Sequence, residues 1–169
     1  MKKIGFIGIG LMGLPMAKNL LKAKYELKAF NRTIKKAEPL KEFGAEISQS
    51  IKEVVSNNDI IITMLTDDTS VDQVMKDESF LDNIKPGSTV IDMSSVKPET
   101  AKFHGENLKS KNVNYLDAPV SGGTVGAEEA TLAIMVGGEQ KVFDDNIDVL
   151  KVMGNPTLVG PLTSGQVSK

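Results

Sequence analysis

Three glycines at Gly8, Gly10 and Gly13 form G-x-G-x-x-G directly after the apolar run "KIGFI" and at the opening of a helical pattern. The first glycine permits a tight turn, the second lets backbone approach a pyrophosphate, and the third lets helix and strand pack closely. The helix N-terminus offers unpaired N–H groups to the phosphates, so the implied ligand is a dinucleotide. Leu11 and Met12 lie inside this loop and count with it as cofactor-binding, whereas the side chains of Met12, Met16 and Leu20 fall at helical spacing and read as packing. The choice of dinucleotide rests on the end of the second strand, roughly 20 residues on, where a carboxylate would bind the ribose hydroxyls of NAD. Here the sequence is "KAFNRT". Asn31 replaces the carboxylate and Arg32 follows, with Thr33 at a helix start. Repulsion of a 2′-phosphate is absent, and a guanidinium contact to one contributes about 1.5–3 kcal/mol. NADP is therefore preferred, with NAD possible.

Other strand ends carry further polar groups. In "MLTDDTS", Met64, Leu65, Thr66 and Ser70 are placed to pass the cofactor, while Asp67 and Asp68 read as helix-start residues ahead of a Ser70/Gln73 capping box. In "IDMSS", Ser94 and Ser95 could reach ribose or nicotinamide, or serve as turn residues. Ser121, Gly122 and Gly123 follow a strand, where successive small residues can aim N–H groups at a substrate carboxylate. A glycine-rich connection is the competing reading. His104, the single histidine, is expected at a solvated helix position, which removes histidine from proton transfer. The chain closes on "TSGQVSK", ending at Lys169.

These groups need a scaffold of alternating strands and helices. Apolar runs predict strands over 3–7, 26–30, 59–64, 89–93, 114–117, 132–136 and 157–159; amphipathic segments predict helices over 14–23, 34–43, 50–56, 70–75, 98–110 and 140–153. The alternation means βαβ units and a mainly parallel sheet covered on both faces, a doubly wound α/β Rossmann fold. At 169 residues the chain is one domain almost to its end, with residues 1–163 as the NAD(P)-binding unit. A net charge of −2 gives no reason to expect a nucleic-acid or membrane-surface partner. No apolar stretch reaches the about 20 residues that span a bilayer. The glycines and proline of "MKKIGFIGIGLMGLP" argue against a secretory signal. With no cysteine present, thiolate and Cys-zinc chemistry are excluded and a cytoplasmic location is expected.

Taken together, "GFIGIGLMGLPMAKNLL", "NRT", "IDMSS", "DAPVSGGTVGAEEATLAIMVGG" and "SGQVSK" resemble the β-hydroxyacid dehydrogenase family, which includes 3-hydroxyisobutyrate dehydrogenases and semialdehyde reductases. The resemblance covers the whole chain. It implies a Rossmann domain, an interdomain helix opening over 164–169, and an all-helical second domain that closes the active site and mediates homo-oligomerisation. The second domain is expected beyond this chain. The implied reaction is reversible hydride transfer between NAD(P) and a small carboxylate-bearing hydroxyacid or aldehyde. By the same resemblance Gly8, Gly10 and Gly13 hold the pyrophosphate; Leu65, Thr66 and Ser95 line the cofactor; Ser121, Gly122 and Gly123 bind the substrate carboxylate; and Lys169 is the catalytic lysine. Thr163 stands where the lysine motif usually begins with glycine, and Thr66 where many members have proline. Two alternatives stay open: a catalytically silent dinucleotide-binding regulatory module, and an imine reductase-like enzyme, which shares the N-terminal motifs and "NRT".

Overall fold

Strands that lie between two other strands and under helices on both faces must be apolar along their whole length. The runs "KIGFI", "IIIT" and "TVID" follow that rule in their interiors as β1 (Lys3–Ile7), β4 (Ile60–Thr63) and β5 (Thr89–Asp92), with Lys3, Thr63, Thr89 and Asp92 as polar residues at the strand ends. All eight residues of β4 and β5 are buried. The computed structural model describes residues 1–169. With β2 (Glu26–Phe30), β3 (Glu46–Ile47) and β6 (Asn114–Asp117), these strands form a parallel array in the order β3-β2-β1-β4-β5-β6. The order reverses between β1 and β4, which opens a crevice at the carboxyl ends of these two strands. The sheet continues beyond β6 through β8 (Leu132–Gly137), antiparallel to β6 and to the short β7 (Val120–Ser121). β9 (Gly154–Gly160) then pairs parallel to β8. The mainly parallel α/β expectation holds.

The period of two along each strand divides the core into two layers. Ile4, Phe6, Ile60, Ile62, Ile91 and Leu116 face α1 (Gly13–Lys22) and α7 (Gln140–Met153), whose Met16, Leu20, Phe143 and Leu150 pack against them. Ile7, Ile61, Val90 and Tyr115 face the other way. They meet α2 (Ile51–Val55), α3 (Asp68–Met75), α4 (Glu78–Asn83) and α5 (Pro98–Lys109). No helix is long and apolar enough to cross a membrane.

Four differences from the sequence expectations have physical causes. The segment Ile34–Phe43 winds as a 3₁₀ helix rather than an α-helix, with Pro39 inside it; proline has no N–H to give and disfavours the helical conformation of the residue before it. The glycine-rich stretch after β7 folds as α6 (Gly123–Glu129), whose small residues Gly126 and Ala127 are buried; a Cβ on Gly126 would already press on Leu132 Cδ2 at 3.1 Å. α4, too short to show a period, starts on Asp77, whose side chain accepts from Ser79 N. His104 is buried, contrary to expectation: with Ala101, Gly105 and Leu108 it lies on the inward stripe of α5. Its Nε2 is 2.7 Å from Asp72 Oδ1 on α3. Burial pushes its pKa below the ordinary value, against the opposing pull of Asp72.

Candidate active site

The glycine loop sits at the crevice, and each glycine answers a different constraint. Gly8 has φ +103°, and a Cβ there would lie 2.2 Å from Met64 O. A Cβ on Gly13 would lie 1.9 Å from Gly8 O, so α1 could not start so close to β1. Gly10 has no heavy atom within 4 Å of where its Cβ would be and no left-handed φ. The N–H groups of Gly10, Leu11 and Met12 find no acceptor in the chain. Open space flanked by unpaired donors at the start of α1 is a cradle that fits a pyrophosphate. The loop is tied to the end of β2 by Gly8 N–H donating to Phe30 O (3.0 Å) and Ile9 N–H donating to Asn31 Oδ1 (2.9 Å). Asn31 Nδ2 in turn donates to Thr33 O at 3.0 Å. The carboxamide that stands in for the expected carboxylate thus braces the loop itself.

Nine of the residues singled out in sequence line one cleft of about 460 Å³: Gly8, Gly10, Asn31, Arg32, Thr33, Met64, Leu65, Thr66 and Ser70. Lys36 and Gln73 line it as well; neither is expected there from sequence, where Gln73 reads as part of a capping box. Arg32 Nη2 donates to Gln73 Oε1, so the guanidinium bridges from the end of β2 to α3. The other four cofactor-binding expectations, Leu11, Met12, Gly13 and Ser95, lie elsewhere. Leu11 projects into solvent, 84% exposed, beside a neighbouring groove. Met12 packs half-buried against the core, Gly13 is buried in the α1–β1 contact, and Ser95 is exposed past β5. The cap of α3 is Asp67, which accepts from Ser70 N at 2.8 Å, rather than Ser70 itself. Asp68 instead serves α5, accepting from Thr100 Oγ1 (2.6 Å) and Lys97 N (2.9 Å); these bonds hold its carboxyl below the usual range.

A buried polar network joins the ends of β4, β5 and β6. Asp92 Oδ1 accepts from Thr63 Oγ1 at 2.9 Å and Ser94 N at 3.0 Å, and Ser94 Oγ accepts from Leu65 N at 2.8 Å. Ser94 is thereby fully buried and committed to the scaffold, leaving Ser95 alone at the surface. Burial pushes the Asp92 carboxyl up to about 6, opposed by the bonds from Ser94 and Thr63 and assisted by the neighbouring Asp117 carboxylate. Asp117, in register with Asp92, takes Thr163 N (2.9 Å) on Oδ1 and Gln166 N (3.0 Å) on Oδ2. It therefore caps α8 (Ser164–Ser168), the short helix that leads to Lys169. Thr163 holds φ +84° there, which explains why a glycine would suit this position. Ser121, Gly122, Gly123 and Lys169 are exposed and line none of the cavities described above.

Residues 3–161 match the family model of the NAD-binding domain of 6-phosphogluconate dehydrogenase. A 2-hydroxy-3-oxopropionate reductase of Escherichia coli is 40% identical over 170 residues, covering 99% of this chain and 58% of its own length. An NAD-dependent L-serine dehydrogenase of Pseudomonas aeruginosa is 38% identical over 171 residues, covering 100% of this chain and 57% of its own. Among solved structures, a Mycobacterium tuberculosis 3-hydroxyisobutyrate dehydrogenase with L-serine superposes with a TM-score of 0.95 at 32% identity, over 99% of this chain and 57% of that one. The chain thus spans less than two thirds of the length of each of these relatives.

Proposed function

The chain belongs to the β-hydroxyacid dehydrogenase family through its NAD-binding domain, and from that premise we propose that it is the cofactor half of an NADP(H)-dependent oxidoreductase. The substrate is a small β-hydroxyacid or the matching semialdehyde. The reading is carried by the cradle at Gly10: unpaired N–H groups around open space, at the crevice where the strand order reverses. When bound, the dinucleotide supplies or accepts the hydride. Gly8, Gly10 and Gly13 shape the backbone for its pyrophosphate, and Met64, Leu65 and Thr66 form the adjoining wall. Lys169 donates a proton to the carbonyl oxygen in reduction and takes the hydroxyl proton in oxidation. Ser121, Gly122 and Gly123 bind the substrate carboxylate through backbone N–H groups. Residues 1–163 act as the cofactor domain and 164–169 as the opening of a helix into a second domain. That domain completes the site and the homo-oligomer. The absence of cysteine supports a cytoplasmic location.

Preference for NADP is supported by the composition of the cleft at the end of β2. Arg32 and Lys36 line it, and the side chain in the place of the ribose-binding carboxylate is the neutral Asn31, already occupied with the loop. Calorimetric titration with NADPH and NADH tests this: NADPH binds about tenfold tighter or better, and Arg32→Ala removes most of that ratio, as loss of a charge-assisted contact should. Tighter NADH binding by the unsubstituted chain overturns the NADP assignment. Turnover of the intact protein with NADPH and methylmalonate, tartronate or succinic semialdehyde or glyoxylate names the substrate.

A further inference from the structure

Gln166 is the only buried polar side chain of α8, 7% exposed, and its carboxamide is used at both ends. Nε2 donates to Ser94 O at 2.9 Å and Oε1 accepts from Val96 N at 3.2 Å, while its own backbone N–H is held by Asp117. The two side-chain bonds bracket Ser95, so one carboxamide sets the backbone of the turn on which Ser95 is exposed. A carboxylate could accept from Val96 but not donate to Ser94, and a methionine offers at most a weak acceptor and no donor. The demand for donor and acceptor at once explains a glutamine in a buried position where an apolar residue would avoid desolvation.

The place of this turn matters for the cofactor reading proposed above, on which this inference rests. A dinucleotide crossing the crevice with its adenine half toward Arg32 carries its other half toward the ends of β4 and β5. There the turn is held on one side by Ser94 Oγ under Leu65 N and on the other by Gln166. Lys169 follows Gln166 by three residues, nearly one helical turn. We propose that Gln166 is a positioning residue: its carboxamide fixes the nicotinamide-side turn at Ser94–Val96 against the helix that carries Lys169, and so sets the spacing between the hydride-transfer edge and the proton donor.

The test compares two ligands on the 169-residue chain by calorimetry: NADPH, which reaches the turn, and 2′,5′-ADP, which ends at the adenosine half. Gln166→Glu and Gln166→Met should each weaken NADPH by about five- to tenfold, with 2′,5′-ADP held within about twofold, as expected for loss of one or two buried hydrogen bonds at one end of the cleft. Gln166→Met keeps the assay decisive should the buried carboxylate of Gln166→Glu unfold the chain. Unchanged NADPH affinity overturns the inference, as does equal weakening of both ligands, which would mark Gln166 as merely structural. If the unsubstituted chain binds neither ligand, the cofactor reading falls and this inference with it.

Discussion

Replacing Gly10 and Gly13 with alanine, one at a time, separates the glycine a ligand needs from the glycine the protein needs. At Gly13 the new Cβ would stand 1.9 Å from Gly8 O and 3.0 Å from Gly8 C, both backbone atoms, with Phe6 Cε1 at 3.3 Å behind them. Nothing flexible can yield, and α1 cannot retreat because Met16, Ala17 and Leu20 are buried in the core on its inner face. Overpacking of this kind costs about 1–3 kcal/mol, offset in part by the better helix propensity of alanine. For a domain of this size each kcal/mol moves Tm by about 2–4 °C, so Gly13→Ala should melt several degrees lower. At Gly10 the Cβ meets nothing and φ is not left-handed. Alanine there restricts the unfolded chain and should stabilise by about 0.4–1 kcal/mol, leaving the melt unchanged or slightly higher.

Binding should show the opposite sensitivity. The methyl group at Gly10 enters the space where unpaired N–H groups await a pyrophosphate, and even a displacement that lengthens those bonds should cost about 1.4 kcal/mol or more, a tenfold loss in affinity. Circular-dichroism melts without ligand, followed by NADPH calorimetry at a temperature where both variants are folded, measure the two effects separately. Two results would refute the reasoning. If Gly10→Ala binds NADPH like the parent chain, the phosphates do not approach there; if it melts well below the parent, the glycine serves the fold after all.

Two further substitutions test the network around α8. Thr163→Gly relieves a β-branched residue held at φ +84°, and after the entropic penalty of glycine it should still raise stability by about 0.5–1 kcal/mol; an unchanged melting temperature would show that the Asp117 cap already compensates. Asp92 is fully buried with its pKa raised from 3.8 to about 6. Between those values the folded chain keeps a proton that the unfolded chain has released, so this contribution to stability is present in full below 3.8 and lost as pH rises through 6. Asp92→Asn removes the dependence, and the stability of the variant relative to the parent should increase by about 3 kcal/mol between pH 3.5 and pH 8. Chemical denaturation at the two pH values measures it, and a flat difference would show that Asp92 ionises without penalty.

What could be read in the sequence and what could not divide along the range of the interaction responsible. The glycine loop was legible because its constraints are local: Gly8 turns and Gly13 meets Gly8 within six residues. The central strands were legible because burial on both faces leaves short apolar runs, Ile60–Ile62 in β4 and Val90–Ile91 in β5, beside the apolar β1. His104 was misread because the carboxylate that partners its buried ring nitrogen, Asp72, lies 32 residues away. Its place on the Ala101–His104–Leu108 stripe was a signal that could have been weighed. Of the two roles open for Ser94, cofactor contact or turn chemistry, the second fits its partner, because its Oγ accepts from Leu65 N, 29 residues earlier. The same reasoning applies to "TSGQVSK". Its composition marks a turn and a helix start, whereas the groups that anchor it, Asp117 and the Ser94–Val96 turn, lie 46 to 72 residues away. A backbone cradle can be inferred from glycine spacing because one short segment contains the whole constraint. The placement of α8, which leads to Lys169, cannot, since it depends on the Asp117 carboxylate and the Ser94–Val96 backbone, both distant in sequence, meeting at one helix turn.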